Sequence, residues 1–373
     1  MTKPVNSVYN MATATTALHM LALRLERADA LHLAAQIHAL NTLAPHTTSS
    51  TPQPSPTATT PTATPLAGGY ILTSAPQYTH KLNRASGLAM LSPLTPSILD
   101  SVESLFAPTG LPPKIDLCPL APHAEAALTL LRQRGYVDRG GIEMFYIDLP
   151  AKKGPLREEA EGREVLKPSP SPPPPQRRST APGVGEVEVR CVRPDEVSRF
   201  VQASVAGFRS NGRAPELLET LARIAVARRD TMLYFALVDG KVAGSAGMLI
   251  LHGSQGGDDG VAGEGGFGSS DGGAIAQLYI DSTLPAYRGY GIHGALIRER
   301  LKEAWEAGCV GVMLSAREGS ASGRNAKREG FRAVYVKRSM FKEKKNISSP
   351  RCHESGSTTY VSELGWLDVE PEN

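Results

Sequence analysis

The chain has 373 residues and a formal net charge of +3, with 41% hydrophobic and 21% charged residues. This length exceeds what one hydrophobic core usually supports, so two domains are expected. The nearly balanced charge gives no indication of a nucleic-acid partner. No apolar run reaches the roughly 18 residues that a transmembrane helix requires, so no membrane association is expected. We expect a globular protein that is a monomer or a homodimer.

The four cysteines are scattered along the chain and do not have the spacing of metal ligands. Cys118 and Cys309 fall in apolar, strand-like runs, which predicts that they are core residues. We therefore expect no bound metal and a reducing, cytoplasmic environment.

Proline and glycine are concentrated in three stretches that lack the large apolar residues of a core. Residues 45–65 are rich in Thr, Pro and Ser, residues 151–185 contain a polyproline run, and residues 253–273 are rich in glycine. Such compositions favour disorder, and a polyproline run behaves as a semi-rigid spacer. The predicted organisation is an N-terminal domain, a Pro-rich linker, a second domain and a disordered tail, over residues 1–150, 151–185, 186–341 and 342–373.

Before the linker, apolar residues recur at helical spacing over 17–43, which predicts a long first helix. Thr95 can cap a second helix, and Pro96 suits the first position of that helix. The further elements predicted in this half are strands at 68–74, 85–91, 114–118 and 143–149, and helices at 96–106 and 124–134.

After the linker, the dipeptide Asp239-Gly240 separates two strand-like runs and is a strong signal for a β-hairpin. The elements predicted in this half are strands at 187–193, 231–238, 241–251, 274–280, 309–315 and 333–341, and helices at 194–206, 215–229, 291–307 and 322–329.

Residues 287–296, which we call the cradle, join an apolar strand to a helix through a glycine-rich turn. Gly289, Gly291 and Gly294 allow the backbone to turn tightly. The first N–H groups of a helix have no intrahelical acceptor and carry partial positive charge, so this arrangement can bind a phosphate. Arg288 can add a charge-assisted contact. A plain strand-to-helix turn that contains glycines is the alternative.

The cradle carries a family resemblance in six consecutive residues, Arg288, Gly289, Tyr290, Gly291, Ile292 and His293. They resemble the pyrophosphate loop of the GNAT superfamily of N-acetyltransferases, whose pattern is Q/R-x-x-G-x-G/A. His293 departs from the family, which has Gly or Ala at that position. The predicted order β-α-α-β-β-β-α-β-α-β over 187–341 and the pair Gly330-Phe331 also resemble the family. The resemblance implies an α+β (α/β) fold with a mixed central sheet flanked by helices.

The resemblance further implies an acyltransferase that uses acetyl-CoA as co-substrate. Such an enzyme transfers the acetyl group to an amine of a small molecule or protein by direct attack, without a covalent enzyme intermediate. A CoA-binding regulatory module without turnover is the alternative. A third interpretation is an interaction scaffold that uses the proline-rich linker.

In this superfamily, acetyl-CoA lies in a V-shaped gap between two splayed strands, here 274–280 and 309–315. A backbone N–H near the end of the first strand donates to the thioester oxygen. The cofactor-binding residues that the resemblance implies are Tyr279, Ile280, Asp281, Arg288, Gly289, Tyr290, Gly291, Ile292, His293, Gly294 and Asn325.

The attacking amine must lose a proton, so a base or a water chain is needed. Asp281, Glu264 and Tyr279 are the nearest candidates in sequence. Glu264 is disfavoured because it falls in the glycine-rich insertion, and Asp281 could instead cap the following turn. Ala326 stands where the family has a tyrosine that meets the leaving thiolate. Tyr335 is the candidate substitute, with a core residue as the alternative. His293 is interpreted as an anion contact or surface residue rather than a base.

The acceptor pocket of this superfamily includes the loop between the first two helices. Here that loop contains Phe208, Arg209 and Arg213, which are the predicted substrate-binding residues. Arg209 or Arg213 could hold a carboxylate of the acceptor, and a solvated surface arginine is the alternative.

The two halves of the chain also resemble each other, because the same succession of strand and helix signals leads to Gly135-Tyr136 and to Gly330-Phe331. This predicts a tandem of two GNAT-like units. The first half has two prolines, Pro93 and Pro96, where the second half has the glycines of the cradle. Proline removes a backbone donor, so we predict that the N-terminal half is a degenerate GNAT-like domain that does not bind acetyl-CoA. A small unrelated α+β domain is the alternative.

Overall fold

The computed structural model describes residues 5–43, 60–151, 186–209, 212–252 and 273–343, with side chains described from Thr15 onward. The predicted linker (151–185), glycine-rich insertion (253–273) and tail (342–373) therefore lie outside the described residues. The exceptions are the edge residues Ala151, Gly273, Lys342 and Glu343.

The chain forms two compact units that do not follow its order. The first unit comprises Met1–Met144, Ser204–Arg229 and Val334–Asn373, and the second comprises Phe145–Ala203 and Asp230–Ala333. The predicted second domain, 186–341, thus contributes residues to both units. The division into an N-terminal and a C-terminal domain at the linker stays a prediction.

The elements that lie wholly or mostly in the first unit are α1 (Val5–Thr42), β1 (Thr62–Leu66), β2 (Gly69–Thr73), β3 (Arg84–Ser86), α2 (Pro96–Phe106), β4 (Lys114–Leu117), α3 (Ala124–Gln133), β5 (Tyr136–Asp148), α5 (Pro215–Ala227) and β11 (Arg332–Lys342). Its sheet has the strand order β1-β2-β3-β4-β11. β3 and β4 are parallel, whereas the pairs β1–β2, β2–β3 and β4–β11 are antiparallel, so the sheet is mixed.

The core of the first unit contains apolar residues of α1, β2 and α5. Leu33, Ile37 and Leu40 recur along one face of α1 and form a buried cluster with Leu72 and Ile224. Helix α5, from the second half of the sequence, therefore packs on the first helix of the chain. None of the helices in the described part of the chain combines the length and apolar composition that a bilayer-spanning helix requires.

The elements that lie wholly or mostly in the second unit are β6 (Val187–Cys191), α4 (Val197–Phe208), β7 (Thr231–Val238), β8 (Lys241–Leu251), β9 (Ile275–Thr283), α6 (Ile292–Glu306), β10 (Gly311–Arg317) and α7 (Ala321–Arg328), together with the last residues of β5; α4 ends in the first unit, from Ser204 onward. Its strand order is β10-β9-β8-β7-β6. β9 and β10 are parallel, and the other three pairs are antiparallel. Leu278, Leu296, Val312 and Phe331 belong to its buried core.

Most predicted elements are confirmed within a few residues. The hairpin between β7 and β8 turns through Asp239 and Gly240, which both have positive φ (49° and 72°), as a type I′ turn requires. Thr95 caps α2, since its Oγ1 accepts a hydrogen bond from the Ile98 N–H at 3.3 Å. The predicted order β-α-α-β-β-β-α-β-α-β from β6 to β11 and the mixed sheet flanked by helices are confirmed.

Three strands differ from the prediction. The predicted disordered loop 45–65 is wrong at its end, where Thr62–Leu66 forms β1; Thr62 and Thr73 pair through their hydroxyls at 2.7 Å. Strand β3 is three residues long rather than seven, because Gly87 and Ala89 take positive φ values that end the strand. Strand β5 begins at Tyr136, earlier than predicted.

Candidate cofactor and active site

Strands β9 and β10 pair at one end and separate at the other. Their parallel ladder runs from Ile275 with Gly311 to Leu278 with Leu314. β9 nevertheless continues to Thr283, paired with β8, and β10 continues to Arg317. A gap therefore opens after Leu278, and the backbone of β9 beyond that point has an edge that the ladder with β10 does not cover. The family resemblance implies that a thioester would lie at this place.

The backbone of β9 is strained at the start of this open edge. Ile280 has φ of +55°, a left-handed value that is rare for a β-branched residue. The pairing of β8 with β9 shifts register between Ser245 and Gly247, which is the mark of a β-bulge. Gly247 lies opposite, where a Cβ would come within 3.1 Å of the side chains of Ile280 and Tyr279, so the absence of a side chain there relieves crowding. Such strain costs on the order of 1–3 kcal/mol and is concentrated at functional sites.

A buried arginine of α6, which the predicted site does not include, holds the bulge in place. Arg300 of α6 is 0% exposed and donates to the carbonyls of Gly247 and Leu296, each at 2.9 Å. It also donates to both carboxylate oxygens of Asp281, at 2.6 and 2.8 Å. Arg300 therefore links α6 with the strands on both sides of the bulge. Its signal in the sequence is an arginine within an apolar stripe at helical spacing, Ile292-Leu296-Arg300-Ala304.

Asp281 is held in its ionised form by these contacts. Burial opposes its charge, but the Arg300 guanidinium and a hydrogen bond from His293 outweigh burial and hold the pKa of the carboxyl below its usual value. Asp281 lies within β9, and its oxygens accept hydrogen bonds from Arg300 and His293 of α6. It therefore does not cap a turn after the strand. Because both oxygens already accept hydrogen bonds and the pKa is low, Asp281 is a weak proton acceptor in this arrangement.

His293 and Asn325 extend the same network. The guanidinium of Arg328 donates to Asn325 Oδ1 at 2.9 Å, so the amide nitrogen of Asn325 faces His293 Nδ1 at 3.0 Å. Nδ1 then accepts, and the proton of the ring lies on Nε2, which donates to Asp281 at 3.0 Å. Both ring nitrogens are thus engaged, which does not suit a free base. Three predicted cofactor residues, Asp281, His293 and Asn325, are brought together here.

The cradle has the geometry of an anion site. Gly289 and Gly291 have φ of +82° and +75°, and Gly291 is the N-cap of α6. The Ala295 N–H donates to the Gly291 carbonyl at 3.0 Å, so the preceding N–H groups of the first helical turn have no acceptor one turn earlier. Arg288 and Tyr290 are exposed beside this helix end.

Gly294 lies close to the end of the Glu329 side chain, which forms an ion pair with Arg298 at 2.6 Å. A Cβ at Gly294 would displace this carboxylate, so the glycine leaves room for the ion pair beside the first turn of α6. Ile292, the first residue of α6, is buried in the core of the second unit.

The remaining predicted residues are divided between the two units. The Tyr279 hydroxyl lies 2.6 Å from the hydroxyl of Thr231 on β7, within the second unit. Tyr335 belongs to the first unit, where its hydroxyl donates to Glu26 Oε1 at 2.7 Å; burial raises its pKa well above the usual value. The predicted acceptor residues also belong to the first unit: Phe208 ends α4, Arg209 is exposed, and Arg213 is partly buried.

No protein-family model and no curated protein matches the chain. Solved structures that are similar include a GCN5-related N-acetyltransferase from Kribbella flavida, with 13% identity, coverage of 77% of this chain and 91% of that chain, and a TM-score of 0.47. A functionally unknown conserved protein from Staphylococcus epidermidis has 13% identity, coverage of 75% and 92%, and a TM-score of 0.46. A GNAT family acetyltransferase from Brucella melitensis, in complex with acetyl-CoA, has 24% identity, coverage of 48% and 97%, and a TM-score of 0.30. Similarities this weak do not establish a family or an activity for this chain.

Proposed function

We propose that the chain is an acetyl-CoA-dependent N-acetyltransferase whose cofactor site lies in the second unit. The observation that carries this proposal is the continuity of β9, the cradle and α6. The open edge of β9 begins at the strained Ile280, and the same segment leads into a glycine-rich helix N-terminus. A thioester needs a donor for its carbonyl oxygen, and the pyrophosphate of the same molecule needs an anion site. Here the open edge of β9, which can supply the donor, is followed directly in the chain by the helix N-terminus, which can supply the anion site.

In the proposed mechanism, bound acetyl-CoA supplies a thioester whose acetyl group passes to an amine nitrogen as the C–S bond breaks and CoA leaves. Backbone N–H groups of Tyr279, Ile280 and Asp281 stabilise the developing oxyanion at the bulge. Arg288 and the first turn of α6 hold the pyrophosphate. Asp281 acts as a positioning residue, because Arg300 and His293 already occupy its oxygens.

The proton of the amine leaves through water, with the Tyr279 hydroxyl as the candidate relay on β9. Tyr335 is set aside as the general acid, since its hydroxyl is already committed to Glu26 in the first unit. The acceptor is an amine of a small molecule or a protein, and Arg209 and Arg213 remain the proposed contacts for an acceptor carboxylate. Cytoplasmic location and a tandem origin of the two halves belong to the same proposal.

Replacing Arg288 with glutamate is expected to weaken acetyl-CoA binding at least tenfold, about 1.4 kcal/mol, measured by isothermal titration calorimetry. The reason is that a cation beside the helix N-terminus becomes an anion next to the pyrophosphate. The matched control is Lys302→Glu, at the far end of the same helix, where the side chain is 60% exposed. Equal affinities of the two variants and the wild type would place the pyrophosphate elsewhere.

A second candidate function, a CoA-binding module without turnover, is favoured by Ala326. This residue is 0% exposed on α7, and it stands where the resemblance implies a tyrosine. Release of CoA thiol from acetyl-CoA in the presence of a panel of primary amines separates the two functions. Amine-dependent release supports the transferase, whereas tight binding of acetyl-CoA without release by any amine supports the regulatory module.

A further inference from the structure

A rigid turn in the first unit presents a lysine at its end. Residues Pro76–Lys81 form a short 3₁₀ segment in which Thr79 has φ of +48° and ψ of −160°. Asn83, which is fully buried, holds this turn: its amide donates to the Thr79 carbonyl at 2.7 Å and accepts from the Ser74 N–H at 2.6 Å. A strained β-branched residue persists only when its surroundings determine it. The position of Lys81 is therefore pre-organised.

Lys81 lies in a positive environment. Its side chain is partly buried, and its ammonium group forms no hydrogen bond or ion pair with the residues that the structure describes. Burial is the main cause that lowers the pKa of Lys81 to about 7, and three neighbouring cations, Arg84, Arg213 and Lys114, contribute to the same shift. Asp29 alone among the named neighbours opposes them. An unpaired lysine beside three cations is costly unless something neutralises it.

The nearby carboxylate of Asp116 is already saturated. It pairs with Lys114 at 3.0 Å and with Arg84 at 3.4 Å, and it accepts from the Ser339 hydroxyl at 2.7 Å. Burial opposes the charge of Asp116, but the two cations outweigh it and lower its pKa to about 2. Asp116 therefore neutralises part of the charge of its two partners and leaves Lys81 uncompensated.

Arg84 contributes a second free donor. Its side chain is nine-tenths buried, and its Nε atom finds no acceptor among the described residues. A buried guanidinium N–H without a partner costs about as much as a lost hydrogen bond, so it calls for a ligand or a water molecule. The other acidic groups of this region, Glu26 and Asp29, are bound to Lys337 at 3.1 and 2.6 Å.

We propose that Lys81 and Arg84, with the positive charge of Arg213 nearby, form a binding site in the first unit for a compact anion that carries a carboxylate or phosphate group. The guanidinium group of Arg84 supplies a directional donor, and the ammonium group of Lys81 supplies a point charge, which is the donor set that such anions prefer. The site does not include the cradle, and its test needs no acetyl-CoA. It shares Arg213 with the contacts proposed above for an acceptor carboxylate.

Binding is expected to depend on pH, because the anion favours the charged form of Lys81. The charged groups that act on Lys81 from the surrounding elements are Arg84 of β3, Lys114 of β4, Arg213 before α5 and Asp29 of α1. Affinity should be greatest below pH 7, should fall as pH rises above 7, and binding should take up protons near pH 7.

The test uses the full chain and two separate titrants, inorganic phosphate and succinate, at constant ionic strength. Calorimetry and thermal unfolding at pH 6 are compared for the wild type, Lys81→Met and the control Lys241→Met, an exposed lysine of the β7–β8 hairpin. We expect saturable stabilisation of the wild type and the control by at least one titrant, and at least tenfold weaker binding by Lys81→Met. Preference for phosphate or for succinate identifies the class of anion.

Two further measurements test the site: the stability of Lys81→Met without anion, and the pH dependence of anion binding by Lys81→Arg. Without anion at pH 6, Lys81→Met should be more stable than the wild type, because it removes an uncompensated charge, and this gain should shrink as pH rises from about 7 to about 10.4. Lys81→Arg should bind the anion with an affinity that no longer changes between pH 6 and 8. Loss of stability in Lys81→Met without anion, or anion binding equal to that of the wild type, would overturn the site.

Discussion

Replacing Arg300 with leucine is expected to lower the free energy of unfolding by about 3–5 kcal/mol, because it leaves a buried carboxylate without its cation. Arg300 is fully buried and forms a two-point ion pair with Asp281. Leucine also removes the donor to the Gly247 carbonyl. Denaturant unfolding at pH 7, followed by circular dichroism, measures the difference. The effect is expected to be among the largest of any single charged residue in the second unit.

The matched control is Arg298→Leu on the same helix. Arg298 pairs with Glu329 at 2.6 Å, but its side chain is 34% exposed, so its removal should cost about 1 kcal/mol or less. The two variants should also differ in pH dependence. In the wild type, the lowered pKa of Asp281 contributes stability that is present above about pH 4 and lost as pH falls through the native pKa.

Without Arg300, the buried Asp281 carboxyl should have a raised pKa. The difference in unfolding free energy between the wild type and Arg300→Leu should then narrow as pH falls from 7 to about 4. Arg300→Lys should recover a part of the loss, because an ammonium group keeps the charge but lacks the fork that binds Asp281 and Gly247 together. Equal, pH-independent costs for Arg300→Leu and Arg298→Leu would contradict the role assigned to Arg300.

The elements that could be predicted from the sequence are those with local signals. Thr95 and Pro96 mark the start of α2 because capping chemistry acts within one helical turn. Asp239-Gly240 marks the hairpin because few other dipeptides accept two positive φ angles. The glycines of the cradle act in the same local way. These features depend on residues close together in the chain. The structure has the cap of α2, the hairpin turn and the start of α6 at the predicted residues.

The parts that could not be predicted depend on residues that are distant in sequence. The strain at Ile280 exists because Gly247 lies opposite and Arg300 holds both strands, and no local pattern indicates it. The engagement of His293 depends on Asn325, which is 32 residues away. Likewise, the Thr/Pro/Ser-rich composition of β1 predicts a disordered loop, whereas pairing with β2 stabilises a strand. No sequence pattern indicates that Lys81 and Arg84 are partly or fully buried, since basic residues usually lie on the surface.

The first unit contains a second buried charge network, in which α1 and β11 face each other. Glu26 and Asp29 lie three residues apart on α1, and Tyr335 and Lys337 alternate on one face of β11. Lys337 is 1% exposed and pairs with Asp29 at 2.6 Å and with Glu26 at 3.1 Å. Burial opposes the charge of Lys337, but the two carboxylates outweigh it and raise its pKa. Lys337 and Arg84 hold the pKa of Asp29 below its usual value against the effect of burial, whereas burial outweighs Lys337 at Glu26 and raises the pKa of that carboxyl.

Replacing Lys337 with methionine is therefore expected to lower the free energy of unfolding by about 3–5 kcal/mol at pH 7, measured by denaturant unfolding. The matched control is Lys342→Met on the same strand, which should cost about 1 kcal/mol or less, because Lys342 pairs with Glu103 near the surface, where both side chains are about a quarter exposed. The loss in Lys337→Met should shrink as pH falls toward about 4, because Glu26 and Asp29 can then take up protons. Adding Glu26→Gln and Asp29→Asn to Lys337→Met should restore more than half of the lost stability, since neither acid then stays buried without its cation. A triple variant no more stable than Lys337→Met would show that the network stabilises the first unit through packing rather than through charge.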